Sequence, residues 1–112
     1  MELKDICKMQ SEFDAAHKSN ARWDEPITQD NLQLLEHLLV CLVGEVGECA
    51  NLVKKVVRGD LSYAAVRDDL GGELADTFIY LIKVCSQTGI DLEREFLKKL
   101  EFNRKRFKKY EA

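Results

Sequence analysis

The stretch LLVCLVGEVGECANLV, residues 38–53, decides the fold. Its apolar residues recur at steps of three and four, the spacing of a helix face. Continued back through Leu32 and Leu35 and forward to about Val57, it reads as one long helix. Thr28 or Asp30 offers a short polar oxygen to cap its first turn. Glu45 and Glu48, with Gly44 and Gly47, interrupt the apolar run. A mid-helix glycine costs about 1 kcal/mol relative to alanine. Such a cost is tolerated where another helix or a ligand approaches the backbone closely.

Working outward, Ile6, Met9, Phe13 and Ala16 predict a first helix from Leu3 to about Ala21. The polar segment from Asn20 to Thr28, with Trp23 and Pro26, forms the first connection. Gly59 and Asp60 break the chain, and Ser62 to Arg67 reads as a short connecting turn or helix. A third helix runs from near Arg67 to Gln87, with Gly89 as its C-terminal cap. Asp91 caps a fourth, which carries Leu92, Phe96, Leu100, Phe102 and Phe107. In the third helix Leu74, Ala75, Phe78, Leu81, Ile82 and Cys85 form one stripe, while Ile79 and Val84 lie outside it. A helix apolar beyond one stripe is buried on more than one side, and a second subunit can cover the extra side. No segment alternates with period two. Short connections between long helices make antiparallel neighbours. The expectation is an all-α, antiparallel bundle of four main helices that is at least dimeric.

Composition sets the outer bounds. At 112 residues the chain is one domain, 1–112. With 46% hydrophobic and 33% charged residues it is not a disordered chain. One proline and six glycines are too few for an all-β sandwich or barrel. The apolar stretches are broken by charges well short of a membrane span, and MELKDICKMQ has no signal-peptide core. Cys7, Cys41, Cys49 and Cys85 include no C-x-x-C pair and read as reduced thiols of a cytoplasmic protein. A net charge of -3 argues against a dedicated nucleic-acid binder. Residues 94–112 nevertheless hold eight basic and three acidic side chains. That tail is either an exposed helix face or, in an alternative reading, a nucleic-acid surface. A non-catalytic helical interaction module is the other alternative.

Two helices carry carboxylates at the same spacing: Glu45 and Glu48, then Glu73 and Asp76 in GGELADTFIYLIKVC, residues 71–85. Residues three apart share a helix face. On antiparallel partners the two pairs can face each other. Acids set in apolar runs need partners, and four of them together need counter-charge. Oxygen-only ligands favour a hard cation, Mg²⁺ with Mn²⁺ as a possible substitute. The chain has no E-x-x-H motif, which argues against a di-iron bundle.

The order E-x-x-E, 24 residues, then E-x-x-D resembles the MazG-like nucleotide pyrophosphohydrolases of the all-α NTP pyrophosphatase superfamily. LLVCLVGEVGECANLVKK is similar to the family's first metal helix and GGELADTFIYLIKVC to its second. DLEREFLKKLEFNRKRF resembles its last helix, with Asn103, Arg106 and the aromatic that follows. LVGEVGE with Asp76-x-x-x-Tyr80 is nearest the dCTP pyrophosphatase branch. The resemblance implies Mg²⁺-dependent cleavage of a nucleoside triphosphate between its α and β phosphates, giving a monophosphate and pyrophosphate. It implies the metal ligands Glu45, Glu48, Glu73 and Asp76, with Glu45 or Glu48 taking the proton of the attacking water. It also implies a homodimer or homotetramer. The loop from Arg58 to Asp69 lacks the tryptophan of the dCTP pyrophosphatases, so no base preference follows.

Lys54, Lys83, Asn103 and Arg106 are the candidate triphosphate contacts, although any one lysine also reads as a solvated side chain. Tyr80, one turn after Asp76, either meets a phosphate or sugar or packs in the core. Trp23 offers a stacking surface for a base. His37, two turns before Glu45, contacts base or sugar, or is a packed histidine.

Overall fold

A computed structural model of the chain describes residues 1–17 and 24–111. Four helices account for most of it: α1 (Leu3–Ala16), α2 (Leu32–Val57), α3 (Tyr63–Thr88) and α4 (Leu92–Arg106). Short 3₁₀ turns, Gln29–Asn31 and Lys108–Tyr110, precede α2 and follow α4. The described residues contain no strand.

Local chemistry fixes the boundaries. Thr28 Oγ1 accepts from the Asp30 amide and caps the turn that leads into α2. Ser62 accepts from the Ala65 amide, so α3 begins at Tyr63 rather than near Arg67, and no separate connecting helix exists. Asp91 caps α4 through the Arg94 amide. After α2 and α3 the chain turns at Gly59 (φ 90°) and Gly89 (φ 77°). Both positions are left-handed, the region where a side chain is disfavoured. At each, the amide that follows the glycine reaches back to a carbonyl in the helix's last turn: Asp60 to Lys55 at 2.9 Å and Ile90 to Cys85 at 2.9 Å.

α2 and α3, 26 residues each, form an antiparallel hairpin with arms of about 39 Å. α1 packs on α3. The segment before α2 is tied to the end of α3, where Ile27 N donates to Gln87 O (2.7 Å) and Gln87 Nε2 to Glu25 O (2.9 Å). Beyond its start, α4 packs along none of the other described helices.

One chain buries little. Among the described residues the buried apolar ones are Leu38, Val66, Ile82 and Cys85. Met9 and Phe13, expected on the inner stripe of α1, are exposed; Cys7, Gln10 and Asp14 are turned inward instead. Leu39, Val40 and Val43 of α2, and Leu74 and Phe78 of α3, are also exposed. Leu32, Leu35, Leu39, Val40 and Val43 line an apolar groove along α2. The radius of gyration is 17.4 Å, against about 13 Å for a compact chain of this length. The accessible surface is 8622 Å², against about 6,300 Å² for a compact protein of this mass. A hairpin with an outlying fourth helix has no third layer to cover its faces, which is why the bundle does not close within one chain. No helix among the described residues is long and apolar enough to cross a membrane.

Candidate metal centre

The turn at Asp60 sets the level at which α2 and α3 face each other. Glu45 lies 15 residues before it, Glu73 13 after and Asp76 16 after. A side-chain contact between Cys49 Sγ and Thr77 Oγ1 (3.9 Å) holds that register beside the acids. One carboxylate oxygen each from Glu45, Glu73 and Asp76 lie within 4.8 Å of one another. Glu48 shares the cluster through its interaction with Glu73 and Glu45.

The electrostatics follow from crowding. Hydrogen bonding to Glu48, then burial, then the charges of Glu48 and Glu45 push the Glu73 carboxyl up to about 7. Burial, then the charges of Glu48 and Asp76, push Glu45 upward too, partly offset by a hydrogen bond to Glu73. Glu45 Oε2 and Glu73 Oε2 are buried and find no hydrogen-bond partner among the described residues. Buried acceptors with no donor are costly. A bound cation supplies the missing partner, and an all-oxygen donor set suits a hard divalent ion. The residues therefore fit a divalent metal.

Beside the cluster, Glu45 and Asp76 open on one side of a cavity of about 460 Å³, with Tyr80 and Lys83 of α3 and Gln10 and Phe13 of α1 around it. The size suits a small-molecule ligand.

The model of the MazG nucleotide pyrophosphohydrolase domain matches residues 33–109. The chain belongs to this family. It is 32% identical over 109 residues to human dCTP pyrophosphatase 1, covering 94% of this chain and 58% of that protein. The rat protein of the same name gives 32% over 109 residues, with the same coverage. Gene 37 protein of Mycobacterium phage L5 is 36% identical over 63 residues, covering 54% of this chain and 55% of the phage protein. The chain thus spans about 58% of the length of the dCTP pyrophosphatases it matches. No solved structure gave a significant match.

Within this MazG domain the candidate residues fall into three groups. Glu45, Glu48, Glu73 and Asp76 come together, and Tyr80 and Lys83 share the adjoining cavity. Tyr80 is half-buried, and burial first, then Cys41, raises its hydroxyl pKa. His37 is exposed one turn before Cys41, with Nε2 3.6 Å from Cys41 Sγ. Lys54 is exposed in the last turn of α2. Asn103 and Arg106 lie on α4, which stands off from α2 and α3, and Arg106 rests on the Phe107 ring (5.0 Å). Trp23 lies outside the described residues.

The sequence reading passed over Asp14 and Gln10. Asp14 is 4% exposed on α1, and Gln10 Nε2 donates to its Oδ1 at 3.0 Å. The available signal was a carboxylate four residues after Gln10 on the side of α1 opposite Met9. Gly44 and Gly47 differ from expectation. A methyl group on either would meet nothing within 4 Å, so no other described part of the chain approaches them closely.

Proposed function

We propose that this chain is a Mg²⁺-dependent nucleoside triphosphate pyrophosphohydrolase, cleaving a (d)NTP to the monophosphate and pyrophosphate. Its role is the removal of noncanonical or excess nucleotides in the cytoplasm. The observation that carries the reading is the convergence of the Glu45, Glu73 and Asp76 carboxylates with two orphaned buried oxygens. The names of the relatives agree with it.

Glu45, Glu48, Glu73 and Asp76 are the residues to hold the metal. A divalent ion held there would supply counter-charge for these acids, polarisation of phosphoryl oxygens and a lowered pKa for water. A carboxylate oxygen of Glu45 or Glu48 is assigned to accept the proton of the attacking water. Lys83 and Tyr80 face the triphosphate and sugar from the cavity wall, and Lys54 adds positive charge from α2. His37 and Trp23 are assigned to the base or sugar.

The working unit is a homodimer or homotetramer. A second copy of this chain covers the groove at Leu39, Val40 and Val43 and removes the excess apolar surface from water. Asn103 and Arg106 then meet the triphosphate across a subunit boundary, because their own α4 stands away from their own acids.

The test is a panel of canonical and modified ribo- and deoxyribonucleoside triphosphates, with and without Mg²⁺. Pyrophosphate and a nucleoside monophosphate are the expected products. Pyrophosphate release from none of them rejects the reading.

A further inference from the structure

Besides Glu45 and Asp76, the cavity is lined by a second charged group, Asp14 of α1 and Lys83 of α3. Asp14 Oδ1 lies 3.5 Å from Lys83 Nζ, and both side chains are more than nine-tenths buried, at 5% and 8% exposure. Gln10 Nε2 donates to the same Asp14 oxygen at 3.0 Å. The Lys83 ammonium also lies 5.8 Å from the centre of the Tyr80 ring. Asp14 is the only buried residue of α1. It is absent from the group of carboxylates that can share a metal.

A buried ion pair is a poor source of stability, because loss of hydration offsets most of the attraction. An apolar pair of similar volume would attach α1 equally well. Charge at this point matters in another way. An unpaired carboxylate on the cavity wall would repel an anionic ligand, and an unpaired lysine would not be held in one place. Paired, the two are neutral together and fixed in direction.

We propose that Asp14 is a positioning residue of the nucleotide site. By pairing with Lys83 it anchors α1 over the cavity and holds the ammonium at the cavity wall. Gln10 and Phe13 of α1 then enclose the substrate. Asp14 acts on nucleotide binding through Lys83 and α1, not on the metal. This inference rests on the nucleoside triphosphate reading of the same site.

The experiment compares wild type with Asp14→Asn and with the double variant Asp14→Leu/Lys83→Met. It reads KM and kcat for pyrophosphate release, Mn²⁺ binding without nucleotide, thermal stability, and amide hydrogen exchange across residues 3–16. Asp14→Asn is expected to raise KM at least about tenfold with a much smaller change in kcat. Its α1 amides exchange faster, and Mn²⁺ affinity stays at the wild-type value. The double variant regains thermal stability but not KM. Wild-type KM in the double variant overturns the proposal, since the pair would then be packing alone. Unchanged KM and unchanged exchange in Asp14→Asn overturn it as well. If wild type releases no pyrophosphate, the functional reading fails, and α1 exchange in Asp14→Asn still decides the anchoring.

Discussion

Cys49 of α2 and Thr77 of α3 meet side chain to side chain, with Sγ 3.9 Å from Oγ1. Each is the immediate neighbour of a candidate ligand, Glu48 and Asp76. Thr77 Oγ1 also donates to the carbonyl of Glu73 at 2.9 Å. One small contact thus ties together the backbone positions of three of the four acids. Larger side chains here would push the two helices apart.

Thr77→Leu is therefore expected to destabilise the protein by about 1–3 kcal/mol through overpacking. Divalent-cation affinity falls with it, because the acids separate. Thermal unfolding with and without Mn²⁺ measures both effects. A variant that loses stability but keeps wild-type Mn²⁺ affinity would show that the register does not govern the cluster.

Acid crowding gives stability and metal binding opposite responses. Glu73→Gln removes a like charge and keeps the shape, so the metal-free variant unfolds at a higher temperature than metal-free wild type above pH 7. The same change lowers Mn²⁺ affinity by more than about 100-fold, beyond the typical loss for an outer-shell partner. Calorimetric titration and thermal melts on one preparation test the pair of effects together.

The pH dependence has a definite sign. Both Glu45 and Glu73 are raised in the fold above 4.5, Glu73 to about 7. The metal-free fold therefore binds their protons more tightly than the unfolded chain. That contribution is complete below pH 4.5 and is lost as pH rises towards 7. Metal-free protein melts at progressively lower temperature across that window, and saturating Mg²⁺ reverses the loss. A melting temperature independent of pH in EDTA would contradict the crowded cluster.

Association is tested on the α2 groove. Val40→Asp, at a residue 64% exposed in the single chain, costs that chain little. In the assembly it buries an unpaired charge. Sedimentation should give a dimer or tetramer for wild type and a smaller species for the variant. A wild-type monomer at working concentration refutes the assembly.

Helix type and number were legible in the sequence because period, caps and glycine stops agreed. Leu38, Ile82 and Cys85 belong to the expected stripes and are buried. The convergence of the acids was legible for a related reason. Glu45 and Glu73 stood in apolar surroundings at matching distances from one turn, so facing each other followed from the hairpin. What stayed hidden depends on rotation and long-range docking. Met9 and Phe13 fit a helical stripe as well as Cys7 and Gln10 do, and only packing on α3 selects between them. Asp14 carried no signal of its own because its partner, Lys83, is 69 residues away. The start of α3 was misplaced because Ser62 is an equally good turn residue and helix cap. The position of α4 stayed hidden because its helix pattern does not say what it packs on, and within this chain it packs along none of the other described helices.

The most direct test of the central claim is pyrophosphate release by wild type and by Glu48→Gln, each in Mg²⁺ and in EDTA. The acids as a metal site predict release by wild type in Mg²⁺ and none in EDTA. Glu48→Gln should keep its helical spectrum and lose about 100- to 10,000-fold in rate, the span of one acid–base group. Full activity in that variant, or wild-type activity without metal, would contradict the account.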